Sequence, residues 1–166
     1  MNKCIPLNAE TRARTGFSHK IIVDYVAIAA IGAAANGLIQ ILPTGNGLIP
    51  GTGTVPAGFA VIRAAFSLIT AFDFSDAGIT SMLVEVGDDG DPNRFIDQTE
   101  VAVDGTEITY GASKVTTFPH CYLVANGIDL TVTVANGGTP LCSECTSGKL
   151  EIYLCCVDLN DLKIPT

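Results

Sequence analysis

Tryptophan is absent, histidine occurs twice, and charged residues make up only 16 % of the chain. With only His19 and His120 available, acid–base and metal chemistry have little to work with. There is no G-x-S-x-G elbow, no H-E-x-x-H helix and no phosphate-cradling glycine loop closed by Lys. The glycine-rich "GTGTVPAG" stands alone and reads as a turn. The expectation is a protein with no catalytic residue, no enzyme activity and no cofactor. Long apolar runs are missing too. Within "VPAGFAVIRAAFSLITAF" (55–72), a helix over 57–72 would span about 24 Å at about 1.5 Å per residue, short of a bilayer core of about 30 Å. Arg63 would also lie near its middle, which is costly. "VAIAAIGAAA" (26–35) is shorter still, and "MNKCIPLNAETRARTG" has no apolar h-region of a secretory signal. A soluble chain with no membrane partner is expected.

What is present is a large apolar fraction, 48 % of 166 residues. That suits one domain with a sizeable core, and it leaves apolar surface that self-association would cover. The net charge of −8 is unevenly distributed. Residues 1–20 hold Lys3, Arg12, Arg14 and Lys20 against Glu10, a net of +3, and the remainder carries −11. An acidic body repels phosphate backbones, so no nucleic acid partner is expected. The basic lead segment reads either as an arm that docks on an acidic neighbour or as a solvated tail.

Strand patterns recur along the chain. "HKIIVDYVAI" (19–28) is rich in β-branched residues. "ITSMLVEVG" (79–87), "IDLTVTVANGG" (128–138) and "GKLEIYLCCVDL" (148–159) alternate apolar with polar. "EVAVDGTEITYG" (100–111) carries an Asp104-Gly105 hairpin signal. "KVTTF" (114–118) and "CYLVANG" (121–127) are shorter candidates, and only "AIAAIGAAANGL" (27–38) reads as compatible with a helix. Turn signals every 8 to 12 residues or so predict an all-β antiparallel sandwich or jelly roll. Residues 1–18 are expected as an extended N-terminal arm and 19–166 as the sandwich domain.

The stretch 55–72 fits a strand buried on both faces, between two sheets or between a sheet and a neighbouring subunit; a helix over part of 57–72 is the alternative. Arg63 would then reach an edge, a carboxylate or a subunit contact, or else snorkel to solvent. The loop "PTGNGLIPGTGTVPAG" (43–58), with Leu48 and Ile49 at its middle, is long enough to serve as a contact element. Lys3, Arg12, Arg14, Leu48, Ile49 and Arg63 are therefore the candidate contact residues.

Two clusters invite metal or redox readings. The cysteines are Cys4, Cys121, Cys142, Cys145, Cys155 and Cys156. "CSEC" has the spacing of half a zinc site. A disulfide joining Cys142 or Cys145 to Cys121 or Cys155 is a second reading, and reduced thiols packed as small apolar groups are a third. "GDDGDPNRFID" (87–97) gathers Asp88, Asp89, Asp91 and Asp97. Such density can hold calcium, but Asp and Gly also suit the backbone of a tight turn.

"VPAGFAVIRAAFSLITAFDFSDAGITSMLVEVGDDGDPNRFID" together with "GKLEIYLCCVDL" resembles the head-decoration, or cement, proteins of tailed bacteriophages. The similarity covers residues 55–159: the "PAG" start, a long strand, the "TAFD" turn, a strand ending in "VG", the "DPNRFID" segment and the closing strand. The resemblance implies a jelly-roll virion protein made in the host cytoplasm and carried on the capsid exterior. It also implies a homotrimer and the major capsid protein as partner. The cysteines lie outside the pattern. A phage tail or fibre module that binds a host receptor or glycan is the alternative, and it should display clustered exposed aromatics among Tyr25, Tyr110, Tyr122 and Tyr153.

Overall fold

The computed structural model describes residues 3–42, 53–102, 113–116, 119–137 and 139–160, and the side chains of residues 3, 4 and 113–116 lie outside the description. Two antiparallel sheets face each other. Sheet A runs β1 (Lys3–Pro6), β2 (His19–Asp24), β10 (Cys145–Asp158), β4 (Phe59–Phe74), β7 (Ser113–Thr116), with the two-residue β8 (His120–Cys121) also on β4. Sheet B runs β3 (Asn36–Gln40), β9 (Asp129–Ala135), β5 (Ser81–Asp88), β6 (Asp91–Glu100). The pairings nest: β2 with β10, β3 with β9, β4 with β7, and β5 with β6. The fold is all-β, as the turn spacing and alternation predict.

Alternation explains the core. In β9, Leu130, Val132 and Val134 are buried while Thr131 and Thr133 are half-exposed on the other face. They meet Met82, Val84 and Val86 of β5 across the ladder. Opposite them, Phe66 and Leu68 pair with Ile152 and Leu150, and these in turn pair with Ile21 and Val23. Side chains of this size buried between two sheets contribute about 1.5–3 kcal/mol each relative to exposure.

The apolar stretch at 59–74 is the long strand β4. Its core residues, Val61, Ala64, Phe66, Leu68 and Ala71, depart from strict alternation. The register against β10 shifts at four places, among them Ile62 and Ile69. At these two, one extra residue in β4 shifts the phase of the face pattern, and Ile62 and Ile69 stand exposed. These irregularities together account for a pattern that reads as apolar on both faces.

The lead segment is folded back, correcting the expected extended arm. β1 pairs with β2 over Lys3↔Ile22 to Pro6↔His19. Helix α1 (Ala9–Thr15) follows, capped by the Asn8 side chain and ended by Gly16 in the left-handed region, where a residue without Cβ is favoured. Ser18 then stitches the segment to β10, receiving Cys156 N–H on its Oγ at 2.9 Å and donating its own N–H to Leu154 O at 2.8 Å. A second helix, α2 (Tyr25–Ala29), starts where Asp24 accepts the Ala27 N–H at 3.1 Å. It interrupts the strand expected over 19–28 and carries the chain from sheet A to sheet B.

Candidate functional site

At one end of the sandwich a polar cluster joins the two sheets. Asp88 ends β5 and its side chain is 1 % exposed. Its Oδ1 accepts the Gly90 and Asp91 amides at 3.0 and 3.1 Å, which closes the β5–β6 turn. Its Oδ2 accepts Arg94 Nε at 2.7 Å and the Tyr122 hydroxyl at 2.9 Å. Burial by itself would raise the Asp88 pKa, but the hydrogen bonds from Arg94, Tyr122 and Gly90 outweigh it and hold the carboxyl below its ordinary value. Burial, then the bond to Asp88, push the Tyr122 hydroxyl well above its ordinary value, so it stays a donor. His120 stands edge-on to Tyr122 with ring centroids 4.7 Å apart, and its Nδ1 lies 3.3 Å from Arg94 Nη1.

This cluster fixes the loop that follows. Tyr122 donates its N–H to Phe59 O and accepts Gly58 N–H on its carbonyl, at 2.9 and 2.8 Å. Four residues on, Asn126 and Val55 exchange both backbone bonds, at 2.8 and 3.0 Å. Between these two anchors stand Leu123 and Val124, 91 % and 72 % exposed. Two bulky apolar side chains are thus presented on a short segment tied at both ends, whereas most apolar side chains of this size are buried. The sequence shows "CYLVANG" as a strand candidate; the structure keeps only His120–Cys121 as strand and turns the rest into this loop. The signal for it is the "ANG" turn directly after an apolar pair.

The sequence-predicted contact residues are dispersed. Arg63 faces outward from β4 and its guanidinium lies 4.8 Å from the Phe17 ring centroid, with Nη1 donating to Thr15 O at 3.4 Å. Phe17 in turn sits 5.7 Å from the Tyr153 ring. Arg63 therefore fastens the C-terminus of α1, where a cation complements the helix dipole, instead of reaching a carboxylate. Arg12 is exposed and donates Nε to Leu7 O at 2.6 Å, and Arg14 is exposed on the same helix. Lys3 lies in β1, with its side chain outside the described residues, as are Leu48 and Ile49 altogether.

The metal and disulfide readings meet different geometry. Among the described residues no group of three or more His, Cys, Asp or Glu converges as a metal site. Asp88 is committed to four donors, and Asp89 is exposed in the turn. Among the described cysteines, Cys121, Cys142, Cys145 and Cys155 are free thiols. The expected bridge from Cys142 or Cys145 to Cys121 or Cys155 is corrected by register. Cys145 and Cys155 lie at opposite ends of β10, about 30 Å apart at about 3.3 Å per residue. Cys121 pairs with Ala60, which pairs with Val157, so it too belongs to the Cys155 end. A disulfide tolerates a Cα separation of roughly 7 Å at most. Cys142 and Cys145 are buried in the core, and burial, with Cys142 nearby, pushes the Cys145 thiol up to about 12.

Of the described tyrosines, Tyr25 is exposed, Tyr122 buried and Tyr153 half-buried, and Tyr110 lies outside the described residues. No described helix is long and apolar enough to cross a membrane.

Fold and site together define a two-sheet antiparallel β-sandwich with a pinned apolar loop at one end. No known protein family and no curated protein matches the chain. Among solved structures, a chain of the cyanophage Pam1 capsid asymmetric unit aligns with a TM-score of 0.40 and 15 % identity, over 81 % of each chain. A similarity at that level carries no conclusion about role.

Proposed function

We propose that this chain is a structural virion protein that binds the outside of a phage head and cements neighbouring major capsid proteins, without catalysing a reaction. The observation that carries the reading is the Leu123–Val124 tip. Docking two such side chains into an apolar recess gains about 1.5–3 kcal/mol each. The ordering cost that usually erodes such a gain is small, because Tyr122 and Asn126 already fix the loop. The nested strand pairing supports the jelly-roll form of sandwich. The phage resemblance of residues 55–159 supplies the capsid as the partner. Multiple attachment points on a repeating shell would then slow release.

The test is binding to phage heads prepared without this protein. The wild-type chain should co-sediment with the heads and raise their resistance to heat. A Leu123→Ser/Val124→Ser variant should fold normally, since both side chains are exposed, and lose at least tenfold in affinity. Wild-type protein that fails to bind such heads would sink the proposal, and equal binding by the double variant would remove the loop from it.

A further inference from the structure

We infer that Asn136 is a site of spontaneous covalent modification, at which the chain loses ammonia from its own carboxamide and gains a carboxylate. This inference stands apart from the capsid role and does not rest on it.

The tripeptide Ala-Asn-Gly occurs three times among the described residues, at 35–37, 125–127 and 135–137. A fourth Asn-Gly pair, Asn46-Gly47, lies outside them. Asparagine is a thermolabile residue, and a following glycine exposes it to attack. The glycine nitrogen, on losing its proton, adds to Asn Cγ, and no Cβ on the glycine hinders the approach. An N–Cγ bond forms, the Cγ–Nδ2 bond breaks, and ammonia leaves a succinimide ring. Water then opens the ring at either carbonyl, which gives aspartate or a backbone-lengthened isoaspartate. The attack needs a glycine N–H that can be released and an asparagine ψ that can turn. The three tripeptides are identical, so their surroundings decide between them.

Two of the three are locked. At β3, Ala35 O accepts Val134 N–H at 2.7 Å and Ile41 N–H donates to Ile128 O at 3.0 Å. Bonding alternates along an antiparallel strand, so Gly37 N–H is engaged by Val132 O, its partner in the ladder. At the second, Asn126 donates its N–H to Val55 O at 3.0 Å and accepts Val55 N–H on its own carbonyl at 2.8 Å. The ψ of Asn126 cannot turn without breaking that second bond.

The third is open. The pairing of β9 with β5 ends at Ala135, opposite Ser81. Asn136 and Gly137 follow, both exposed, and neither makes a backbone hydrogen bond among the described residues. Asn136 has a φ of +68°, in the left-handed region that asparagine tolerates better than most residues with a Cβ. Its carboxamide is tethered by an exposed bond from Nδ2 to Thr80 Oγ1 at 3.0 Å.

The product changes the turn. Conversion removes the donor to Thr80 and adds one negative charge to a chain already at −8. The new carboxylate joins a turn that holds Asp76, whose Oδ1 accepts Gly78 N–H at 2.8 Å. Isoaspartate also inserts a methylene into the backbone next to Gly137, where even a Cβ would lie 3.0 Å from Gly78 C. The turn must open to accept it.

The experiment incubates the full folded chain in mildly alkaline buffer and follows each Asn-Gly peptide by mass spectrometry, with aspartate and isoaspartate forms separated by chromatography. Asn136 should convert at least tenfold faster than Asn36 or Asn126. In guanidinium the three rates should converge, because the tripeptide is the same. Asn136→Gln, whose longer side chain closes a less favourable ring, should leave that position unmodified. Conversion of Asn36 or Asn126 as fast as Asn136 in the folded chain would overturn the inference, and so would an Asn136 that stays intact. A rate order that persists unchanged in guanidinium would overturn it too, since sequence and not structure would then decide.

Discussion

Replacing Tyr122 by Phe removes one oxygen from the interior and little else, so it isolates the bond that ties the apolar loop to the β5–β6 turn. Tyr122 is 4 % exposed and the Asp88 side chain 1 %, so solvent screens the pair very little. A hydrogen bond to a charged group contributes about 1.5–3 kcal/mol. Asp88 keeps Arg94 on the same oxygen at 2.7 Å, so no buried charge is orphaned and the lower part of that range applies. The expected loss at neutral pH is about 2 kcal/mol, or a fall of roughly 4–8 °C in melting temperature for a chain of this size. The pH dependence sharpens the test. The folded Asp88 carboxyl lies below its ordinary value, so its stabilisation is complete above the unfolded value of about 3.9 and is lost as pH falls through the lower folded value. In the variant the folded value moves up towards the unfolded one. The gap between wild type and Tyr122→Phe should therefore narrow by about half in strong acid, where only a neutral bond remains. Urea titrations of both proteins at neutral and acid pH measure this. A gap of the same size at both pH values would mean that the hydroxyl acts through packing and not through the carboxylate.

Two further outcomes are expected. Gly148→Ala should destabilise by about 3 kcal/mol or more, since its φ is +130° and a Cβ would lie 2.2 Å from a Phe72 ring carbon; Gly32→Ala, with φ +92° and nothing within 4 Å, should cost only about 1–2 kcal/mol from the backbone, and similar losses at the two sites in urea titrations would refute the clash. A thiol reagent at pH 8 without reductant should modify exposed Cys121 at once and reach Cys142 and Cys145 only after denaturation; mass mapping that finds these two blocked until a reductant is added would contradict the free thiols.

Strands with clean alternation were legible from residues alone. β5, β9 and β10 fall where Met82 to Val86, Leu130 to Val134 and Leu150 to Leu154 alternate. β6 was not, because "DPNRFIDQTE" is polar and has proline at its second position, a composition that reads as turn but suits an edge strand. α2 was hidden inside β-branched residues, and its one local mark is Asp24, whose carboxylate caps the first turn. The phase of β4 could not be read, because bulges at Ile62 and Ile69 depend on how β10 lies beside it. The site was legible only in part. The acidic cluster at 88–91 stood out, but its meaning depends on Arg94 arriving from β6 and Tyr122 from the loop after β8, and neither spacing nor composition announces that. Arg63 was singled out for the right reason, an ion in an apolar run, but its partners are an aromatic ring and a helix-end carbonyl.

The last described strand is not at the rim of its sheet. β10 lies between β2 and β4 and is the neighbour of both. A growing polypeptide therefore holds two parts of one layer that do not pair with each other until residues 145–158 have left the ribosome. Assembly of that layer must await the synthesis of β10, and pairings this distant close slowly. A message cut short before residue 145 would yield a protein with an unfilled slot through its middle, a target for chaperones or proteases rather than a shortened but usable product.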